Sequence, residues 1–299
     1  MERWPPLRYN DWGDTQQTLQ LWTQIVGKIR LRLEPLVNHW WNVTLYETPR
    51  GLTTSSMPYA GERSFTIDFD FVSHDLRIQD SGGREAGFAL QAMTVADFYR
   101  LVQAELAKLD ISVPIDKRPN EVADAIPFDK DTVHGSYDKA ATERFLEVLQ
   151  CADRMCKEFR SRFIGKASPV HFFWGSFDLA ETRFSGRRAP PHPGGIPNLP
   201  DSVTREAYSH QQHSVGFWPG NATLDALFYA YAYPEPIGFA QAPVRPAAAS
   251  WNAALKEFVL PYEAVRTSSD ADRDVLDFFQ STYEAAAKLG DWDRAALER

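Results

Sequence analysis

Phe65-Thr-Ile67-Asp-Phe69-Asp-Phe71 carries the fold assignment. Large apolar side chains fall on every second residue, with polar ones between. That is the period of a strand with one buried face. Upstream, residues 39–46 and 52–58 read as strands joined by the turn Pro49-Arg50-Gly51. Downstream, residues 76–80 and 87–91 flank Ser81-Gly82-Gly83. Turns this short join antiparallel neighbours. Helices bracket the block. Residues 14–34 place Leu21, Trp22, Ile25, Val26 and Ile29 at helical spacing behind Asp14 as N-cap, and residues 95–109 form the second helix.

The same order then returns: a helix over 138–163, strands over 170–184, 213–218, 227–233 and 258–262, and a helix over 270–289. Local strings repeat in register. His39-Trp-Trp-Asn-Val-Thr44-Leu45 lines up with His171-Phe-Phe-Trp-Gly-Ser176-Phe177, and Phe88-Ala-Leu90 with Phe258-Val-Leu260. Asp97-Phe-Tyr and Ala107-Lys-Leu109 line up with Asp277-Phe-Phe and Ala287-Lys-Leu289 at identical spacing. The expected fold class is α+β, a tandem pseudo-repeat of helix–antiparallel sheet–helix units. The halves would be 1–116 and 137–299, with a linker over 117–136 and a Pro/Gly-rich loop over 184–209 in the second. Lys28, Arg30 and Arg32 at the end of the first helix read as partners of its dipole.

Composition excludes several classes. The chain has 299 residues, 43% of them hydrophobic, enough for a sizeable core and against global disorder. Its 32 basic and 40 acidic residues give a net charge of −8, so no nucleic-acid partner is expected. No run of about 18 apolar residues occurs, so no membrane span is expected. The opening MERWPPLRYNDWGD lacks the apolar run of a signal peptide. Cys151 and Cys156 lie five apart on a helix, about 140° around its axis, which disfavours a mutual disulfide. They read as packing residues, and a reduced, cytoplasmic setting follows.

The second half carries a segment the first lacks, running from Arg183 through Gly186-Arg187-Arg188 and His192 to Pro200. It is too rich in Pro and Gly for helix or strand. Arg183, Arg187 and Arg188 would hold a carboxylate or phosphate through forked hydrogen bonds. In the strand before it, alternation puts His171, Phe173, Gly175 and Phe177 on one face, and Phe172, Trp174, Ser176 and Asp178 on the other. His210 and His213 fall on opposite faces of the next strand. Tyr229, Tyr231 and Tyr233 share a face, and Glu235 follows between two prolines.

His171, Asp178, His192, Glu206, His210 and Glu235 thus form a candidate polar cluster. Imidazoles beside carboxylates suit a divalent metal, zinc or iron. Without one, a His–carboxylate pair suits proton transfer near neutral pH. No diagnostic metal, nucleophile or phosphate-loop spacing is present. The leading expectation is an enzyme acting on a small anionic molecule. Its catalytic groups would be His171, Asp178, His210 and Glu235, with Trp174, Trp218, Tyr229 and Tyr231 as the pocket. The alternative is a non-catalytic small-molecule binding protein, recognised by a deep aromatic pocket without a His–carboxylate pair. A third reading is an interaction protein that presents the Pro-rich loop.

At several strings the sequence resembles a bacterial family catalogued only as a domain of unknown function, number five-nine-nine-six. They include Leu21-Trp-Thr-Gln-Ile-Val-Gly-Lys28, Arg50-Gly-Leu-Thr-Thr54, Ile67-Asp-Phe-Asp-Phe71 and Val170-His-Phe-Phe-Trp-Gly-Ser-Phe-Asp178. Others are Phe184-Ser-Gly-Arg187, Ala207-Tyr-Ser-His210, Gly216-Phe-Trp-Pro-Gly220 and Tyr231-Ala-Tyr-Pro-Glu-Pro236. The resemblance covers nearly the whole chain and implies no established activity. Two positions depart from the family pattern. A His often stands where this chain has Gln20, and a Glu often follows the His matching His210, where this chain has Gln211. Gln keeps hydrogen-bonding capacity but does not titrate.

Overall fold

A computed structural model describes residues 4–299. The first half runs α1 (Gly13–Leu33), β1 (Tyr46–Thr48), β2 (Gly51–Thr53), β3 (Met57–Tyr59), β4 (Arg63–Asp70), β5 (Asp75–Asp80), β6 (Glu85–Ala89) and α2 (Val95–Lys108). The second runs α3 (Lys139–Ser161), β7 (His171–Phe173), β8 (Asp178–Arg188), α4 (Asp201–Ala207), β9 (His210–Asn221), β10 (Leu224–Tyr233), β11 (Ser250–Asn252), β12 (Glu257–Pro261), α5 (Tyr262–Arg266), α6 (Ala271–Leu289) and α7 (Arg294–Leu297). The class is α+β with two antiparallel sheets.

The alternating string lies in β4, where Phe65, Ile67 and Phe69 are buried. The first sheet is ordered β1-β2-β4-β5-β6, and β3 also pairs with β4. β5 takes one edge of β4, so β2 and β3 share the other end to end. They are the two parts of the expected 52–58 strand, broken at Ser55, whose φ is 56°. The second sheet is ordered β11-β12-β10-β9-β8-β7. Leu45, just before β1, exchanges backbone hydrogen bonds of 2.9 and 2.8 Å with Phe172 of β7, so the sheets meet edge to edge.

Two expected strands are corrected. The expected 39–46 strand reduces to its end, Tyr46, which opens β1; Asn38–Val43 is a 3₁₀ segment with His39 and Trp40 left-handed at φ 60° and 61°. Side-chain contacts hold it there: Asn42 Oδ1 accepts the Val37 N–H, and the His39 ring Nδ1 donates to the Ala207 carbonyl at 2.9 Å. Residues 170–184 are not one strand but the hairpin β7–β8, closed by a Phe177 N–H to Phe173 carbonyl bond of 2.8 Å. The turn restarts the alternation. Phe173 pairs with Asp178 and His171 with Ala180, so His171 and Asp178 share a face instead of opposing each other.

Caps explain the helix starts. Thr94 and Asp138 accept the N–H groups of Asp97 and Ala141 at 3.1 and 2.9 Å. Asp14 does not cap α1; Trp12 holds that position without a side-chain bond, and Asp14 lies in the first turn. Trp22 of α1 stacks on Phe98 of α2 at 4.6 Å and on Tyr137 before α3 at 5.6 Å. Trp4 packs edge-on against Phe228 and Tyr262, bringing the N-terminal segment to the second sheet. Buried residues of both halves form one contiguous core cluster. α3 and α6 cover one face of the second sheet, with Phe159 of α3 against Phe279 and Tyr283 of α6. The other face is the floor of a cavity.

Candidate functional site

The cavity measures about 830 Å³. Strand period sets its floor: Asp178, Ala180 and Thr182 of β8, Gln212, Ser214 and Trp218 of β9, Tyr229 and Tyr231 of β10, and Glu257 of β12 all point to the same side. Three irregular segments roof it. Trp40 and Trp41 come from the 3₁₀ segment, Asn120 and Glu121 from the segment between α2 and α3, and Ile196, Asn198, Leu199, Pro200, Thr204 and Tyr208 from the stretch after β8. That stretch corrects the expected 184–209 loop, whose first residues extend β8 to Arg188 and whose end forms α4 (Asp201–Ala207).

Side-chain amides fasten this roof. Gln24 of α1 accepts the Asn120 N–H at 2.8 Å and donates to the Asn120 carbonyl at 3.0 Å, replacing a strand neighbour. Asn120 donates to the Asn198 carbonyl, and Asn198 donates to the Val122 carbonyl at 2.6 Å. The Glu121 N–H reaches the Pro197 carbonyl at 2.9 Å, with Glu121 at φ 61°. Gln20 donates to the Gly175 carbonyl at 2.7 Å, fixing the β7–β8 turn. Trp174 on that turn donates to the Val43 carbonyl at 2.7 Å. Gly27 makes room for its indole, because a Cβ there would lie 2.3 Å from the ring.

The floor is acidic and phenolic. Asp178 is buried and accepts hydrogen bonds from Ser176 Oγ and Tyr229 Oη. Burial raises its carboxyl above the ordinary range, and the two bonds pull the other way. Burial, with the Asp178 charge second, lifts Glu121 and Glu257 each to about 7. Burial also raises Tyr231, to about 12, and its Oη lies 3.1 Å from that of Tyr208. Lys28 is not only a dipole partner. It is buried at the cavity wall, donates to the Arg118 carbonyl at 2.6 Å and lies 3.7 Å from Asp116. Desolvation lowers its pKa.

The structure brings together Asp178, Trp174, Trp218, Tyr229 and Tyr231, all at the cavity. The other expected groups lie elsewhere. His171 is buried beside Trp41 and Phe173 with neither ring nitrogen paired, and burial lowers its pKa to about 3. His210 stands beyond the cavity lining, with Nδ1 3.0 Å from Ser209 Oγ and its ring against His39. Glu235 is exposed. The arginines do not converge. Arg183 is buried on the opposite face, its guanidinium 3.4 Å from the Phe159 ring centre and 3.9 Å from Glu181. Arg187 bonds Gln211 at 3.0 Å and the Gly290 carbonyl, and Arg188 is exposed opposite His210. Alternation along β8 is the cause, since Arg183 follows a cavity-facing residue and must face the helices.

His192 accepts the Gly194 N–H at 3.0 Å and packs on Tyr208. His–carboxylate contacts occur at His74–Glu143 and His134–Asp131, 3.1 and 2.7 Å, both away from the cavity. Among the described residues, no group of three or more His, Cys, Asp and Glu is placed to hold a metal ion. Sequence reasoning missed Glu121, Glu257, Asn120 and Tyr208. Tyr208 sits inside the string Ala207-Tyr-Ser-His210, but nothing in the spacing marks the other three, which reach the cavity only through tertiary packing.

Comparison with known proteins adds a family and no activity. A model described as a family of unknown function, DUF5996, matches residues 4–299. No curated protein and no solved structure matches.

Proposed function

We propose, from the premise that this chain belongs to the DUF5996 family, whose function is unknown, that it binds a small molecule in the cavity of its second half. The observation that supports this most is the cavity itself: about 830 Å³, walled by aromatic rings, with carboxylates, phenols and an amide converging on its floor. Among the described residues, no His–carboxylate pair lies in it, which favours binding over the expected His-based chemistry. The anionic ligand first expected loses support because Arg183, Arg187 and Arg188 lie outside the lining. A thermal-shift screen of small molecules tests the proposal. A hit should raise the Tm of the wild type and leave Thr204→Phe, which pushes a ring into the cavity, unshifted. Equal shifts in both proteins, or no hit, count against it.

A second reading, an enzyme, is favoured by one observation. Glu121 and Glu257 are held near neutrality in a concave site, as general acids and bases are. A hit recovered chemically altered after incubation would select this reading.

Two further points belong to the proposal. An origin by duplication is supported by equivalent topology: β6 and β12, which carry the matching Phe88 and Phe258 strings, are each the fifth strand position from the Leu45–Phe172 junction. A reducing, cytoplasmic setting, expected from the sequence, is supported by Cys156 being a buried thiol outside any disulfide. Among the described residues, no helix is long and apolar enough to cross a membrane.

A further inference from the structure

We infer that the ligand is an organic cation, a protonated amine or quaternary ammonium on an apolar body, with its charge among Glu121, Asp178 and Glu257. The inference rests on the cavity being a binding site, as proposed above, and adds the ligand's chemical class.

Charge sign is the first argument. The three carboxylates come from separate elements, the linker, β8 and β12, and face one cavity. Among the described residues, neither the Glu121 nor the Glu257 carboxylate has a hydrogen-bond or ion-pair partner. Of the cations in the lining, Lys28 is committed to the Arg118 carbonyl and Asp116, and Arg32 is exposed at the rim. Partly desolvated carboxylates without a counter-charge are costly, and each further negative charge adds repulsion. A ligand anion would deepen that penalty, whereas a ligand cation removes it, and a protonated amine also makes charge-assisted hydrogen bonds.

The second argument is independent of the carboxylates. Gln212 Oε1 and Thr204 Oγ1 belong to side chains only 5% and 2% exposed, both line the cavity, and neither atom has a partner. An amide oxygen only accepts, so Gln212 asks its occupant for a donor. A protonated amine supplies N–H donors. The aromatic walls complete the match. Trp174, Trp218 and Tyr229 line the cavity with aromatic surface for an apolar body, and aromatic rings attract cations.

The test uses four probes on one scaffold, phenylbutylamine, phenylbutyltrimethylammonium, phenylbutanol and phenylbutyrate, titrated calorimetrically into the intact protein. The two cations should bind about tenfold or more tightly than the alcohol, and the carboxylate least well. Glu257→Gln should erase most of that preference while keeping alcohol binding. Glu121→Gln, in the linker rather than the sheet, serves the same purpose if Glu257→Gln fails to fold. Tighter binding of the alcohol or carboxylate overturns the cation assignment and leaves the binding cavity standing. Cation preference that survives both substitutions also overturns it. Binding by none of the four overturns the cation assignment, and the wider screen with Thr204→Phe then decides the cavity separately.

Discussion

Glu121 and Glu257 share an electrostatic predicament. Each carboxyl is lifted from about 4.5 to about 7, chiefly by burial and secondarily by Asp178. In the unfolded chain both lose their protons at the ordinary value, so between the two pKa values the folded state holds more protons. Stability contributed by these groups is therefore present below the unfolded pKa and lost as pH rises through the folded one. Urea unfolding between about pH 5 and about pH 8 should show this decline, and Glu257→Gln should flatten it; an unchanged slope in the variant would contradict the assignment. Ligand binding runs the other way. A cation needs the carboxylates ionised, so affinity for phenylbutylamine, charged throughout this range, should rise from about pH 6 to about pH 8.

At the scale of elements, the cavity depends on how closely α1 approaches the β7–β8 turn. Gly27 is the contact point, and a methyl group there would sit 2.3 Å from the Trp174 indole. Gly27→Ala must displace Trp174 and weaken its bond to the Val43 carbonyl. The expected cost is about 1–3 kcal/mol, the range for overpacking a close contact. Denaturant melts measure it, and a shifted Trp emission should accompany it; an unchanged melt would show that α1 slides away freely. The same scale shows where pattern reading succeeds. α1, α3, α6 and β4 bury a periodic face, so 3.6- and two-residue periods betray them. The 39–46 stretch misleads because its apolar residues are spent on a 3₁₀ segment whose geometry depends on His39 reaching Ala207, far along the chain. The 170–184 stretch misleads because a tight turn with Phe177 left-handed hides inside an apolar run.

For the whole molecule, the two halves share one core. Trp22 of the first half stacks on Tyr137 before α3, and Leu45 is paired into the edge of the second sheet. Calorimetry should therefore record one cooperative transition, although the chain carries two sheets. Two resolved transitions would show that the halves fold separately.

The α+β class, the long helices, most strands and the cavity aromatics Trp174, Trp218, Tyr229 and Tyr231 are legible in the local order of residues. Apart from Trp174, which the β7–β8 turn carries, these are local consequences of periodicity, because the side chains on one strand face are fixed by spacing alone. Tertiary structure decided the rest. It chose which polar groups meet, taking Glu121 from the linker and Glu257 from β12 to the side of Asp178, and it sent Arg183 to the opposite face. The reason is physical: a cavity roof is built from loops held by side-chain amides such as Gln24 on Asn120, and those contacts join residues far apart in the chain with no repeating period to announce them.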